Sequence, residues 1–187
     1  MRKVPPEKLK KILADHKLWL ETDGKEGQRA NLFKADLQRA DLEGANLQRA
    51  NLDSANLQEA CLNGANLSKA HLPFANLQGA YLSGTNLEEA NLHSAKLQKA
   101  HLYRANLQGA KLRGARFHDA SLDNATLRDA DLQDADLTKV KGLLASQLAG
   151  ANVSGAKLPE DIAKFEGLTH VEETSRNARK IFLAMLL

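Results

Sequence analysis

The chain has 187 residues, 43% of them apolar but only 4% aromatic, and the apolar content is mostly Ala and Leu. That composition argues against a conventional globular core. Lys and Arg number 26 against 23 Asp and Glu, and residues 28–140 hold 13 of each, a balance that argues against both a cationic nucleic-acid-binding stripe and an acidic, DNA-mimicking surface.

Met1–Lys17 is charged throughout and lacks the apolar stretch of a signal peptide. Pro5 and Pro6 suit a helix start. Leu9, Ile12, Leu13, His16 and Leu20 recur at three and four, with Trp19 beside them. The spacing predicts a helix over Pro6–Glu21 that caps the start of the repeats beginning at Ala30. "TDGKEGQR" links the helix to Ala30, and residues 1–27 read as a capping helix and linker.

From Ala30 onward alanine returns every fifth residue, with leucine two places after it. Centred on leucine, 22 units run from Leu32 to Leu137, with Phe117 the exception to Leu and Thr85 the exception to Ala. On a helix, five residues advance about 140° net, so the leucines would spiral around every side. On a flat strand an odd period would point successive leucines to opposite faces. A short extended piece followed by a turn solves both problems. Ala and Leu then face inward in every unit, and the chain winds as a solenoid. The inward set includes Leu37, Leu57, Leu77, Leu97, Phe117 and Leu137, with Ala35, Ala55 and Ala75.

The outward positions carry a period of four units. Gln38, Gln58, Gln78 and Gln98 stand 20 apart, as do Gly44, Gly64 and Gly84, and Asn46, Asn66, Asn86 and Asn106. A 20-residue coil stacks these residues on one another, so that amides can bond along the axis. The glycines predict turns with φ > 0 on one corner. A(N/D)LXX over this length resembles the pentapeptide-repeat family. The resemblance covers roughly residues 28–158. It implies an all-β solenoid, a right-handed quadrilateral β-helix, here with short α-helical caps at both ends. Roughly six coils at about 4.7–4.9 Å each would make a rod about 30 Å long.

The repeat slips once, near 138–142. After Leu137 the centres resume at Leu143, Leu148, Val153 and Leu158, one residue late. This reads as a corner bulge with Gly142 absorbing an unusual backbone angle. Residues 159–187 read as a C-terminal helical cap, with the start of a membrane segment as the alternative. "PEDIAKFEGL" predicts a short helical turn ended by Gly167. "THVEETSRNARKIFLAMLL" predicts a helix with Thr169 as N-cap and Glu172 at the capping-box position. Two readings of its apolar end stay open. Phe182, Met185 and Leu186 pack on the last coil or in a homodimer seam. Alternatively the basic residues and apolar run begin a membrane helix that continues after Leu187 in the full-length protein. The region from "SQLAGANVSGAKLPEDI" onward resembles cyanobacterial family members whose repeats are followed by hydrophobic segments. No apolar run in the chain reaches the roughly 20 residues a spanning helix needs.

Candidate chemistry is sparse. His71, His93, His101 and His118 fall at outward positions in different columns, and His16 and His170 lie in the caps, so no three or four ligands converge on a metal. Cys61 shares a column with Tyr81 and His101. Two coils separate the thiol from the imidazole, about 10 Å, too far for a nucleophile pair. The lone cysteine allows no intramolecular disulfide and suits a reducing compartment. Asp119, Asp123, Asp129, Asp131, Asp134 and Asp136 stand among Arg113, Arg116, Arg128 and Lys139 as a salt-laced, solvated face. No Gly-rich phosphate loop, GxSxG or HExxH occurs, and a convex rod offers no evident pocket. Phe33 and Phe74 face outward on one corner; Phe33 is expected to meet the N-terminal helix, and Phe74, beside Pro73, is either a bare surface aromatic or part of an interface.

These residues and the resemblance together imply a non-catalytic scaffold or protein-interaction module, without cofactor, metal or nucleic-acid partner, whose protein partner the sequence does not name. The expected location is cytoplasmic, with a membrane tether in the full-length protein as the alternative. The most specific activity the resemblance offers is protection of DNA gyrase by a rod resembling DNA in shape and charge. The neutral repeats and the unbroken Leu32–Leu137 series depart from that type.

Overall fold

A computed structural model describes residues 1–164. Within the repeat, the residue before each centre bridges in parallel to the residue 20 positions on: Asn31 to Asn51, Asp36 to Asn56, Asp41 to Cys61, Asn46 to Asn66. Four bridges per coil give four faces. Central Leu N–H groups donate to the carbonyl of the next coil, as Leu32 N to Asn51 O at 2.7 Å, and Asn51 N donates back to Ala30 O at 2.9 Å. The corner is closed by the Ala N–H of the following unit, as Ala35 N to Leu32 O at 3.0 Å.

Every corner needs a left-handed residue, where the spacing of glycines had suggested one corner in four. Gly44, Gly64 and Gly84 have φ of 62, 63 and 64°, but Lys34, Arg39 and Arg49 adopt 52, 57 and 61° at the equivalent position on other corners. The turn places φ > 0 at its third residue, as a type II turn does. The residue that opens each unit supports the turn. Asn31 Oδ1 accepts the Phe33 N–H at 3.2 Å, and Asp131 Oδ1 accepts the Gln133 N–H at 3.1 Å. That local bond explains Asn and Asp before the leucine. Amide ladders along the axis join some columns: Asn51 Nδ2 to Asn31 Oδ1 and Asn106 Nδ2 to Asn86 Oδ1 at 3.2 Å, Gln58 Nε2 to Gln78 Oε1 at 3.1 Å.

The interior is a column of hydrocarbon. Leu37, Leu57, Leu77, Leu97, Phe117 and Leu137 are buried, as are Ala35, Ala55 and Ala75. Each buried Leu is worth roughly 1.5–3 kcal/mol. Thr85 takes an Ala place without leaving its hydroxyl unpaired, since Oγ1 donates to Leu62 O at 2.7 Å.

At the N-terminal end, a strand too short for periodicity to reveal (β1, Arg2–Lys3) pairs in parallel with β2 (Ala35–Asp36). Helix α1 spans Pro6–Glu21 and buries Leu9 and His16. Toward the C-terminal end, Lys141 still bridges Ser121 at a spacing of 20, while Asn152 bridges Asp131 at 21. The extra residue therefore lies between Lys141 and Asn152. Gly142 has φ of 68°, and a Cβ there would overlap the Asp123 carboxylate. A 3₁₀ turn over Ala145–Leu148 replaces the bridge on that face. Gln147 supplies the missing donor: its Nε2 reaches Ala125 O at 2.7 Å, and it also reaches Leu122 O at 2.8 Å. A short helix, α2, spans Glu160–Ala163 and buries Ile162. Phe182, Met185, Leu186 and the expected terminal helix lie outside the described residues. Among the described residues, no helix is long and apolar enough to cross a membrane.

Candidate interaction surface

Three residues of every unit point outward, so the surface is a lattice of stacked columns. Aromatic rings interrupt it on two opposite faces. Phe74 is 57% exposed and meets His93 edge-on, with ring centroids 5.7 Å apart. Phe33 is 49% exposed, with Lys34 Nζ 4.9 Å from its ring centroid, so α1 leaves it largely uncovered. Phe33 is the first turn residue after its centre and Phe74 the second, at φ 58°. They share a corner but occupy neighbouring columns.

Two units further round the square, Tyr81 lies flat on His101, 5.1 Å between centroids and 5° between planes. Tyr103 stands nearby under the Arg104 guanidinium at 5.0 Å. Tyr81 and Tyr103 are 47% and 42% exposed. The signal for the Tyr81–His101 stack was present in the 20-residue spacing. What the spacing lacked was the ring orientation.

Several of the other polar side chains are partnered across coils. Arg39 pairs with Glu59 at 2.8 Å, Lys69 with Glu89 at 3.5 Å and Arg113 with Asp134 at 3.6 Å. His71 meets Asn91 at 3.3 Å, and His118 meets Thr138 at 3.0 Å and Asp119 at 3.4 Å. The Asp136 carboxyl lies below its ordinary value, chiefly because the Thr138 hydroxyl donates to it at 2.7 Å. Cys61 is separated from His101 by Tyr81 in the same column. Its Sγ accepts from Asn63 Nδ2 at 3.6 Å and donates to Glu43 Oε2 at 3.9 Å. Asp41, Glu43 and Cys61 bring three potential metal ligands within 4.8 Å of one another, but both carboxylates are exposed. A structural zinc site closes with four ligands; this is an open, solvated corner.

Among the described residues, His16 is the buried titratable group. Its Nδ1 accepts the Ala30 N–H at 3.1 Å, and its ring stacks on Trp19 at 5.6 Å. Burial pushes its pKa down, the Gln48 carbonyl opposes the shift, and Arg29 adds to it. The surface also departs from a uniformly convex rod. A cleft of about 510 Å³ opens where β1 and α1 meet the first coil.

The 20-residue stacking, the Asn-supported turns and the Ala/Leu interior define a pentapeptide-repeat solenoid. The chain belongs to the pentapeptide-repeat family, whose profile, "Pentapeptide repeats", matches in eight copies over residues 30–68, 70–109 and 100–138. Among solved structures it is similar to HetL, "involved in Heterocyst Differentiation Regulation", from the cyanobacterium Nostoc sp. PCC 7120. The identity is 34% over 70% of this chain and 64% of that one, with a TM-score of 0.38. The chain thus spans just under two thirds of HetL. It is also similar to AT2G44920 from the Arabidopsis thaliana thylakoid lumen, at 23% identity over 73% and 89% of the two chains, TM-score 0.47. QnrB1, a plasmid-mediated fluoroquinolone resistance protein, matches at 20% identity over 72% and 83%, TM-score 0.38. No curated protein matches the chain.

Proposed function

We propose that the chain is a non-catalytic scaffold whose rigid faces dock a protein partner, with the Phe74–His93 corner as the contact. We read it as a right-handed coil over 28–158, capped by 1–27 and followed by a C-terminal unit over 159–187, and, with its single cysteine, as a cytoplasmic protein. The observation that carries the proposal is Phe74, 57% accessible and set edge-on against His93 on a rigid corner. Exposed aromatics on a rigid support are what interfaces select. Membership of the family supports a binding role over a catalytic one. A gyrase-protecting role is not favoured, because residues 28–140 carry 13 cations against 13 acids.

The experiment places a photo-crosslinking phenylalanine analogue at position 74 in cells. A control carries it at Asn124, on another exposed corner. A discrete adduct from position 74 and none from the control supports the reading. Equal background from both positions rejects it.

A further inference from the structure

The geometry points to the cleft at the N-terminal end as a docking site for an extended, apolar peptide strand of a partner protein. The first coil is the solenoid's open edge, and β1 closes only part of it. Arg2 pairs with Ala35 and Lys3 with Asp36, and Val4 N donates to Asp36 O at 3.3 Å. Pro5 and Pro6 then turn the chain away into α1. Beyond that point Gln38 O, Asp41 N, Asp41 O and Glu43 O have no hydrogen-bond partner among the described residues.

One coil further in, each equivalent group is paired. Gln58 O accepts from Arg39 N at 2.9 Å, Cys61 N donates to Ala40 O at 2.9 Å, Cys61 O accepts from Leu42 N at 2.8 Å and Asn63 O from Gly44 N at 2.9 Å. The free edge is therefore a backbone template, of the kind that accepts an added strand. It adjoins the cleft, whose apolar wall includes Leu9, Leu13, Leu37 and Ala40. An occupant would continue the parallel pairing that β1 begins, and would set alternate side chains on that wall.

Charge settles what kind of strand fits. Lys3, Lys10 and Arg39 on the rim are offset by Asp36 and Asp41, and Arg39 is already paired with Glu59. The rim thus selects neither an acidic nor a basic peptide, and the apolar wall selects for Val, Leu or Ile. This site stands apart from the Phe74 corner, and either can fail without the other.

The test uses the full chain and a fluorescently labelled, blocked peptide of sequence Thr-Val-Thr-Leu-Thr-Val-Thr. A second peptide carries N-methyl groups on alternate residues, which removes backbone donors and leaves the side chains. The expected result is saturable binding by anisotropy, weakened at least tenfold by N-methylation, by Asp41→Pro and by Leu13→Lys. Asp41→Pro removes an N–H that no described residue uses. Thermal melts check that both variants fold, and the N-methyl comparison leaves the protein unaltered. Binding indifferent to N-methylation overturns the proposal, as does no binding at millimolar peptide. So does a concentration-dependent dimer lost in Leu13→Lys, which would make a second copy the occupant.

Discussion

At the scale of the residue, the corner position carries the sharpest constraint. The second residue after every centre from Leu32 to Leu137 has positive φ, yet most of these residues are not glycine. None is Val, Ile, Thr or Pro, the types least able to adopt that conformation. Left-handed backbone costs an ordinary residue about 1–2 kcal/mol, which the inter-coil hydrogen bonds offset. Lys99, at φ 59°, tests this. Lys99→Val adds β-branching to a backbone angle that lysine tolerates and should lower stability by about 0.5–3 kcal/mol, while Lys99→Gly should leave it unchanged or raise it slightly, both read from urea unfolding. His16 supplies a second prediction. Its folded-state pKa lies below the ordinary 6.5, so the fold holds the neutral ring. Its contribution is whole above pH 6.5 and is lost as pH falls toward the lowered value. The urea midpoint should drop between pH 7 and pH 5, and His16→Gln, which keeps an acceptor but does not titrate, should flatten that drop.

At the scale of the element, regularity fails in one place, and a single side chain repairs it. Where the 3₁₀ turn Ala145–Leu148 displaces a bridge, Ala125 O is left with the Gln147 amide as its donor, whereas Leu122 O also accepts Ala125 N at 3.0 Å. Gln147→Ala should therefore orphan one buried carbonyl and cost about 1–3 kcal/mol. Gln108→Ala, at an exposed turn position, should stay within about 0.5 kcal/mol. A matching loss in both variants would show that the amide does not serve as a backbone substitute. The cap follows similar logic. Helix α1 was readable from its three-and-four spacing, but β1 was not, because two residues carry no period. What places β1 is the unpaired edge at Ala35–Asp36.

At the scale of the molecule, each coil touches only its neighbours, so stability is spread along the axis. Surface ion pairs such as Arg39–Glu59 are solvent-screened; the stacked leucines hold the coils together. Leu77→Ala, in the middle of the stack, should cost about 2–5 kcal/mol and broaden the melting transition as the two halves uncouple. Arg39→Ala should leave the melting profile essentially where it was. Calorimetry on the two variants distinguishes these outcomes.

The sequence by itself determined the solenoid, its inward Ala and Leu, the 20-residue coil and the helical cap. These come from periodicity, and periodicity survives in one dimension because every unit repeats the same local solution. Only the tertiary structure decided that all four corners are left-handed, that His16 accepts a bond from Ala30, that Gln147 substitutes for a strand and that Tyr81 lies flat on His101. It also decided that an apolar cleft borders a free backbone edge. Each of these depends on which donors, acceptors and ring faces remain once the coil has closed, and a repeat pattern records what is common to all units, not what is left over at one of them.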